Sequence, residues 1–123
     1  MERKLLHNSP ISCFADEIDS SVDKQIALLK ELGISWIEFR SGDGKGVADY
    51  TAKEAQALRE KLDGAGIRIS ALGSPIGKID ITQDFEPHFK TFQAMAELTE
   101  IYGTDKIRMF SFFMPEGADV STY

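Results

Sequence analysis

Apolar residues in this chain fall into two alternating patterns. Four short apolar runs lie at 11–14, 34–39, 67–72 and 107–112. Between them stand longer stretches in which apolar residues recur every three or four positions. Short apolar runs bounded by turn residues read as buried strands, and the periodic stretches read as helices. Strands that alternate with helices imply crossover connections and a parallel sheet. The pattern therefore predicts an α/β fold, a parallel (βα)3β unit with strand order 1-2-3-4.

The punctuation supports these elements. A polar turn at 16–21 offers Asp19, Ser20 or Ser21 as the cap of the first helix. Val22, Ile26, Leu29 and Leu32 would form its apolar face, and Gly33 sits where a left-handed C-terminal residue is wanted. Thr51 and Glu54 have capping-box spacing ahead of Ala55, Leu58, Leu62 and Ala65, with Gly64 and Gly66 at the end. Asp84 can cap a third helix, which carries Phe85, Phe89, Phe92 and Ala96 on one stripe, widened by Met95, Leu98 and Tyr102 and closed by Gly103. Phe85, Phe89 and Phe92 are expected in the core. The glycine-rich segment 41–46 lacks phosphate-loop spacing and reads as a flexible connector. Gly33-Ile34-Ser35 and Gly66-Ile67-Arg68 each turn a helix into a strand, which gives a weak repeat one strand–helix unit long.

Composition narrows the function classes. The chain has 123 residues and reads as one domain. Its formal charge is −6, which disfavours a nucleic-acid surface but leaves room for a local anion site. The single cysteine, Cys13, cannot form an internal disulfide, so a reducing compartment is expected. The start, Met1 to Leu6, lacks the apolar core of a signal peptide, and no run has the ~20 apolar residues of a membrane span. A cytoplasmic location without membrane contact is the expectation.

Two parallel-sheet architectures compete. A doubly wound sheet would place a glycine-rich phosphate loop after strand one. Residues 15–19 are acidic and glycine-free instead. A (β/α)8 barrel needs no such loop and carries polar side chains at its strand ends. Glu38 and Arg40, Ser74, and Ser111 stand at the ends of strands two, three and four. A whole barrel takes about 250 residues. Residues 1–123 would then be a single partial domain, the N-terminal half of a TIM barrel.

Three segments carry a family resemblance: Gly33-Ile34-Ser35-Trp36-Ile37-Glu38-Phe39-Arg40, the third strand and loop from Gly66 to Lys78, and Ile107-Arg108-Met109-Phe110-Ser111-Phe112-Phe113. In order, they resemble the sugar phosphate isomerase/epimerase family, the xylose isomerase-like TIM barrels. The resemblance runs from about Ile11 to Pro115. It implies a carbohydrate substrate and, in the full-length fold, a divalent metal held by two glutamates, an aspartate and a histidine from strands five to eight. Those glutamates would also serve as acid and base beside a carbonyl. This chain would hold neither the metal nor the catalytic pair, only pocket lining. The endonuclease-IV-like repair enzymes are similar at the fold level. They place zinc-binding histidines where this chain has Gly73-Ser74 and Ser111-Phe112, which argues against DNA repair.

The candidate substrate-binding residues are Glu38, Arg40, Ser74, Lys78, Ser111 and Phe113. Each has a plainer reading beside the functional one. Glu38 is either a hydroxyl ligand or a surface carboxylate, and Arg40 either a phosphate ligand or its ion-pair partner. Ser74, Gly77 and Lys78 form either an anion-binding loop or a common Gly-Pro turn. Arg68 and Arg108, early in strands three and four, would lie at the barrel floor. His7 and His88 have no neighbour at metal spacing and read as surface or packing residues. Phe110, Phe112 and Phe113 would line the barrel.

Two functions follow. One is the N-terminal half of a metal-dependent sugar or sugar-phosphate isomerase or epimerase, inactive alone. The other is a non-catalytic half-barrel that self-associates, or pairs with a complementary half, through its open sheet edges.

Overall fold

The computed structural model describes residues 10–123; His7 and the stretch from Met1 to Leu6 lie outside them. Four parallel strands form the main sheet: β1 (Ser12–Cys13), β2 (Trp36–Phe39), β5 (Arg68–Gly73) and β6 (Ile107–Arg108). They lie side by side in chain order, β1-β2-β5-β6. Helices α1 (Val22–Leu32), α2 (Ala52–Gly64) and α3 (Phe85–Tyr102) make the three crossovers.

The helices start and stop where the side chains dictate. Ser21 caps α1 by accepting from the Lys24 N–H. Thr51 and Glu54 form a reciprocal capping box at α2, and Asp84 caps α3. Gly33 and Gly103 close α1 and α3 in left-handed conformation. Helix α1 buries Val22 and Leu29 of the expected face and half-buries Ile26, but the face is shifted at its edges. Leu32 is 60% exposed, whereas Gln25 is buried. Burial of Gln25 is possible because its Nε2 donates to the Asp19 carbonyl at 2.8 Å.

The segment 41–46 is an ordered hairpin rather than a loose connector. Strands β3 (Ser41–Gly42) and β4 (Lys45–Gly46) pair antiparallel across Asp43 and Gly44, both at positive φ. Asp-Gly is the composition such a two-residue turn demands. The Asp43 carboxylate reaches back to accept from the Val22 N–H at 3.0 Å, which ties the hairpin to the start of α1.

One irregularity decides which way the sheet faces. Ile37 pairs with Ile69, but Glu38 pairs with Ala71, so Ser70 is left over as a bulge. Side chains alternate faces along a strand, and one extra residue shifts the alternation. As a result Ile37, Phe39, Ile69 and Leu72 all lie buried on one face with Leu29, Leu58, Leu62, Met95, Leu98 and Tyr102 of the helices. Full burial of each such side chain contributes roughly 1.5–3 kcal/mol. The other face carries Ser12, Trp36, Glu38, Arg68 and Ala71, all exposed or half-buried. The helices thus cover one face of the sheet, not two, as in a barrel wall.

Strand four is shorter than its apolar run. Ladder pairing with β5 ends at Arg108, opposite Gly73. Beyond it the backbone pairs with the segment after β5: the Phe110 N–H donates to the Ile76 carbonyl at 2.8 Å, and Phe113 bridges to Asp80. Gly73 to Pro75 turns the β5 chain away, and residues 110–113 follow it. The expected core stripe of α3 also divides. Met95, Leu98 and Tyr102 are buried, but Phe85 is 53% exposed, Phe89 is exposed and Phe92 is half-buried. Only the C-terminal part of α3 packs on the sheet and α2.

Candidate functional site

The segments that leave the four parallel strands converge. Asp16 follows β1, Arg40 and Ser41 follow β2, Gly73 to Pro75 and Lys78 end and follow β5, and Arg108 and Phe110 end and follow β6. Together with Gly46 to Asp49 they line a cleft of about 400 Å³. In parallel α/β folds ligands bind at these carboxyl ends of the strands.

The wall after β1 and β2 is a charge network. Arg40 Nε donates to Asp16 Oδ2 at 2.8 Å, and the Ser41 hydroxyl donates to the same oxygen at 3.2 Å. Arg40 Nη2 reaches Glu17 at 3.4 Å, and the guanidinium lies 4.5 Å from the Phe14 ring centroid. The hydrogen bond to Asp16, ahead of the other influences, holds the Arg40 pKa above its usual value. Asp16 Oδ1 is buried without a hydrogen-bond partner. Nearby, burial and then the Glu17 carboxylate push the Cys13 thiol up, which keeps it protonated and unreactive.

The wall after β5 and β6 is rigid underneath and basic on top. The buried Ser74 hydroxyl donates to the Arg108 carbonyl at 2.6 Å and accepts from the Ile76 N–H at 3.2 Å. The Gly77 N–H donates to Nε2 of His88 at 2.8 Å, so the imidazole carries its hydrogen on Nδ1. His88 also packs against Phe85 and Phe112, a structural role. Lys78 and Arg108 both approach the Phe110 ring, at 5.5 and 4.4 Å from its centroid.

The six candidates from the sequence separate in space. Arg40, Ser74 and Lys78 come together in the cleft. Glu38 lies on the uncovered sheet face, with its Oε1 4.0 Å from Arg108 Nε. Ser111 is exposed, and Phe113 is 53% exposed beyond the bridge to Asp80; neither lines the cleft. Arg108 is not at the floor. Arg68 starts β5, whereas Arg108 stands opposite its last residue, Gly73, because β6 pairs late. Of the three late phenylalanines, Phe110 reaches the cleft, while Phe112 packs on Phe85 and His88. Asp16, Asp49 and Arg108 were missed as lining residues. For Asp16 a signal existed, an acidic residue directly after strand one.

Among the described residues no three His, Cys, Asp or Glu side chains gather to hold a metal. The carboxylates that line the cleft are Asp16, which is engaged by Arg40 and Ser41, and Asp49; Glu38 lies outside the lining and faces Arg108, so no donor set gathers there. No helix among them is long and apolar enough to cross a membrane.

No family model and no curated protein matches the chain. Two solved structures do. The probable 3-DHS dehydratase AsbF, involved in petrobactin synthesis in Bacillus anthracis, aligns at 18% identity and a TM-score of 0.57 over 83% of this chain. A xylose isomerase domain protein from Planctomyces limnophilus aligns at 19% identity and a TM-score of 0.58 over 90% of this chain. The chain spans only 38% and 44% of those two structures. At such identity the likeness speaks to architecture alone: this chain has the fold of part of each of those two structures, consistent with half of a TIM barrel.

Proposed function

We propose that this chain is the N-terminal half of a sugar-transforming barrel enzyme, an isomerase or epimerase acting on a sugar or sugar phosphate, and that it supplies pocket lining. One observation carries the reading: segments from all four parallel strands meet in one cleft at their carboxyl ends. The uncovered sheet face beside it, with Glu38 and Ala71, is where a closed barrel would have its interior. Arg40, Ser41 and Asp49 offer donors and acceptors for hydroxyls, and Phe110 offers an apolar face for a sugar ring.

The cleft residues do not fit a divalent metal, so no step of the chemistry runs through one on this chain. The metal ligands and the acid–base pair would come from the other half of the barrel. The chain alone would hold a substrate without turning it over.

The test is turnover. The chain alone and the chain joined to a complementary half-barrel are each supplied with manganese or magnesium and D-xylose, and ketose formation is followed by NMR. The reading expects product only from the completed barrel. Isomerisation by the chain alone, or none by the completed barrel with any aldose or ketose tried, would overturn it.

A second reading has its own support. The outer edge of β6 is open, and Phe85, Phe89, Met109 and Phe113 are exposed around it. Open edges and apolar patches favour association. A non-catalytic module that pairs with a second copy would bury this surface, and light scattering at micromolar concentration would show a dimer.

A further inference from the structure

The β5–β6 wall of the cleft holds two cations whose charges are poorly matched by the protein itself. Among the described residues no carboxylate lies within ion-pair distance of Lys78. Arg108 has one contact with a carboxylate, Glu38, at the 4.0 Å limit of an ion pair. By contrast Arg40, in the same cleft, is held by Asp16 and Glu17. In a chain of net charge −6, this leaves a local excess of positive charge facing a cleft.

Both cations are drawn to the same aromatic ring, Phe110. Each such contact is worth only about 0.5–1 kcal/mol at an exposed site. That does not replace a counterion for either group. Both groups line the cleft, and an anion admitted to it would supply that counterion and accept charge-assisted hydrogen bonds.

The wall is also built to hold this arrangement. A Cβ at Gly73 would stand 3.0 Å from Arg108 Nη2 and 3.1 Å from Arg40 Cβ, so the absent side chain leaves room for the guanidinium. The turn that carries Lys78 is closed by its own N–H to the Pro75 carbonyl, and one bond, from the Phe110 N–H to the Ile76 carbonyl, ties that turn to the Phe110 backbone. Arg108 is therefore a fixed anchor, and Lys78 is a flexible point charge on a fixed base. Across the cleft, Asp16 and Asp49 are acceptors, suited to hydroxyls and hostile to a second anion.

We infer that Lys78 and Arg108, gathered about Phe110, form a subsite for the anionic group of a carbohydrate, with the hydroxyl-bearing end directed toward Asp16 and Asp49. This rests on the proposed carbohydrate function and specifies its substrate as acidic. Phosphate and carboxylate share the required chemistry, and a matched set of probes separates them.

The full chain is titrated by calorimetry or NMR with glucose, glucuronate, glucose 6-phosphate and inorganic phosphate at two salt concentrations. The inference expects glucuronate or glucose 6-phosphate to bind at least tenfold more tightly than glucose, with an advantage that shrinks in high salt. The tighter of the two identifies carboxylate or phosphate as the group. Lys78→Gln, at an exposed position, should remove most of that advantage by weakening the acidic sugars far more than glucose. Arg108→Gln should do the same, with folding checked by the Trp36 emission. Equal affinity for glucose and its acidic forms, an equal effect of Lys78→Gln on all of them, or no saturable binding overturns the inference. So does inorganic phosphate binding as well as glucose 6-phosphate, which would mark a general anion site. Sugar turnover by the completed barrel without any preference for acidic substrates would sink this inference and leave the functional reading standing. Acidic-sugar binding without turnover by any completed barrel would do the reverse.

Discussion

Gly77 is the position where the cleft wall is most sensitive to a single methyl group. Its φ is +81°, and a Cβ built there would lie 1.7 Å from the Phe110 carbonyl oxygen and 2.6 Å from its carbon. Those are backbone atoms that cannot swing aside as a side chain can. Separation to a tolerable 3.0 Å requires the two segments to part by more than 1 Å. The left-handed conformation costs an alanine roughly 1–2 kcal/mol. The parting would also stretch the bonds from Gly77 N–H to His88 and from Phe110 N–H to the Ile76 carbonyl, each worth about 0.5–1.5 kcal/mol. Gly77→Ala should therefore cost about 3 kcal/mol. Gly33→Ala is the control: φ is +70° there, but nothing lies within 4 Å of the added methyl, so the conformational cost of roughly 1–2 kcal/mol stands alone. Equilibrium urea unfolding, read from the only tryptophan, Trp36, measures both. If Gly77→Ala costs no more than Gly33→Ala, the two segments do not touch as described and the wall of the cleft is wrong.

Other substitutions test other parts of the architecture. Ser74→Ala leaves the Arg108 carbonyl and the Ile76 N–H without their shared hydroxyl in a buried place, and should cost about 2–3 kcal/mol in the same assay; a loss under ~0.5 kcal/mol would place the hydroxyl elsewhere. Thr51→Ala removes half of the α2 capping box and should cost about 1 kcal/mol in the same assay, with amide exchange accelerated first at that end. The Tyr50 phenol is pushed up to about 12, first by burial and then by the Asp43 and Glu54 carboxylates. Its folded pKa lies above the unfolded value near 10, so its contribution is intact below pH 10 and is lost as pH rises through about 12. The urea midpoint should fall across that window. Tyr50→Phe should flatten the fall without abolishing it, because burial pushes Tyr102 up as well.

Much of the fold was legible because caps and periodicity act locally. Ser21, Thr51 with Glu54, and Asp84 announced the three helices, and Gly33 and Gly103 ended two of them. Positions that depend on pairing between distant segments were not legible. The bulge at Ser70 arises from how β5 meets β2, and no local signal marks it. The end of β6 at Arg108 is set by the turn after Gly73, so the run 107–112 looked like one strand and Arg108 was misplaced to the floor. Leu32 and Phe85 matched a helical stripe, yet a helix buries only the part of its stripe that meets the sheet. The 41–46 hairpin was readable from Asp43-Gly44, a pair that calls for a two-residue turn. Of the cleft lining, Arg40, Ser74 and Lys78 were legible because they stand at or just past the carboxyl ends of strands in a parallel sheet. Ser111 and Phe113 lie past the point where strand four leaves the sheet.

The central claim is that carbohydrate binds at the carboxyl ends of the four strands. Amide chemical-shift mapping during a titration with glucose 6-phosphate tests it most directly. The account predicts that the shifts cluster at Arg40, Ser41, Gly46 to Asp49, Gly73 to Lys78, Arg108 and Phe110. The same molecule holds a polar cleft of about 490 Å³ at the opposite strand ends, lined by Trp36, Arg59, Asp63, Arg68 and Gly103. Shifts confined to that cleft, or scattered with no focus, would contradict the account.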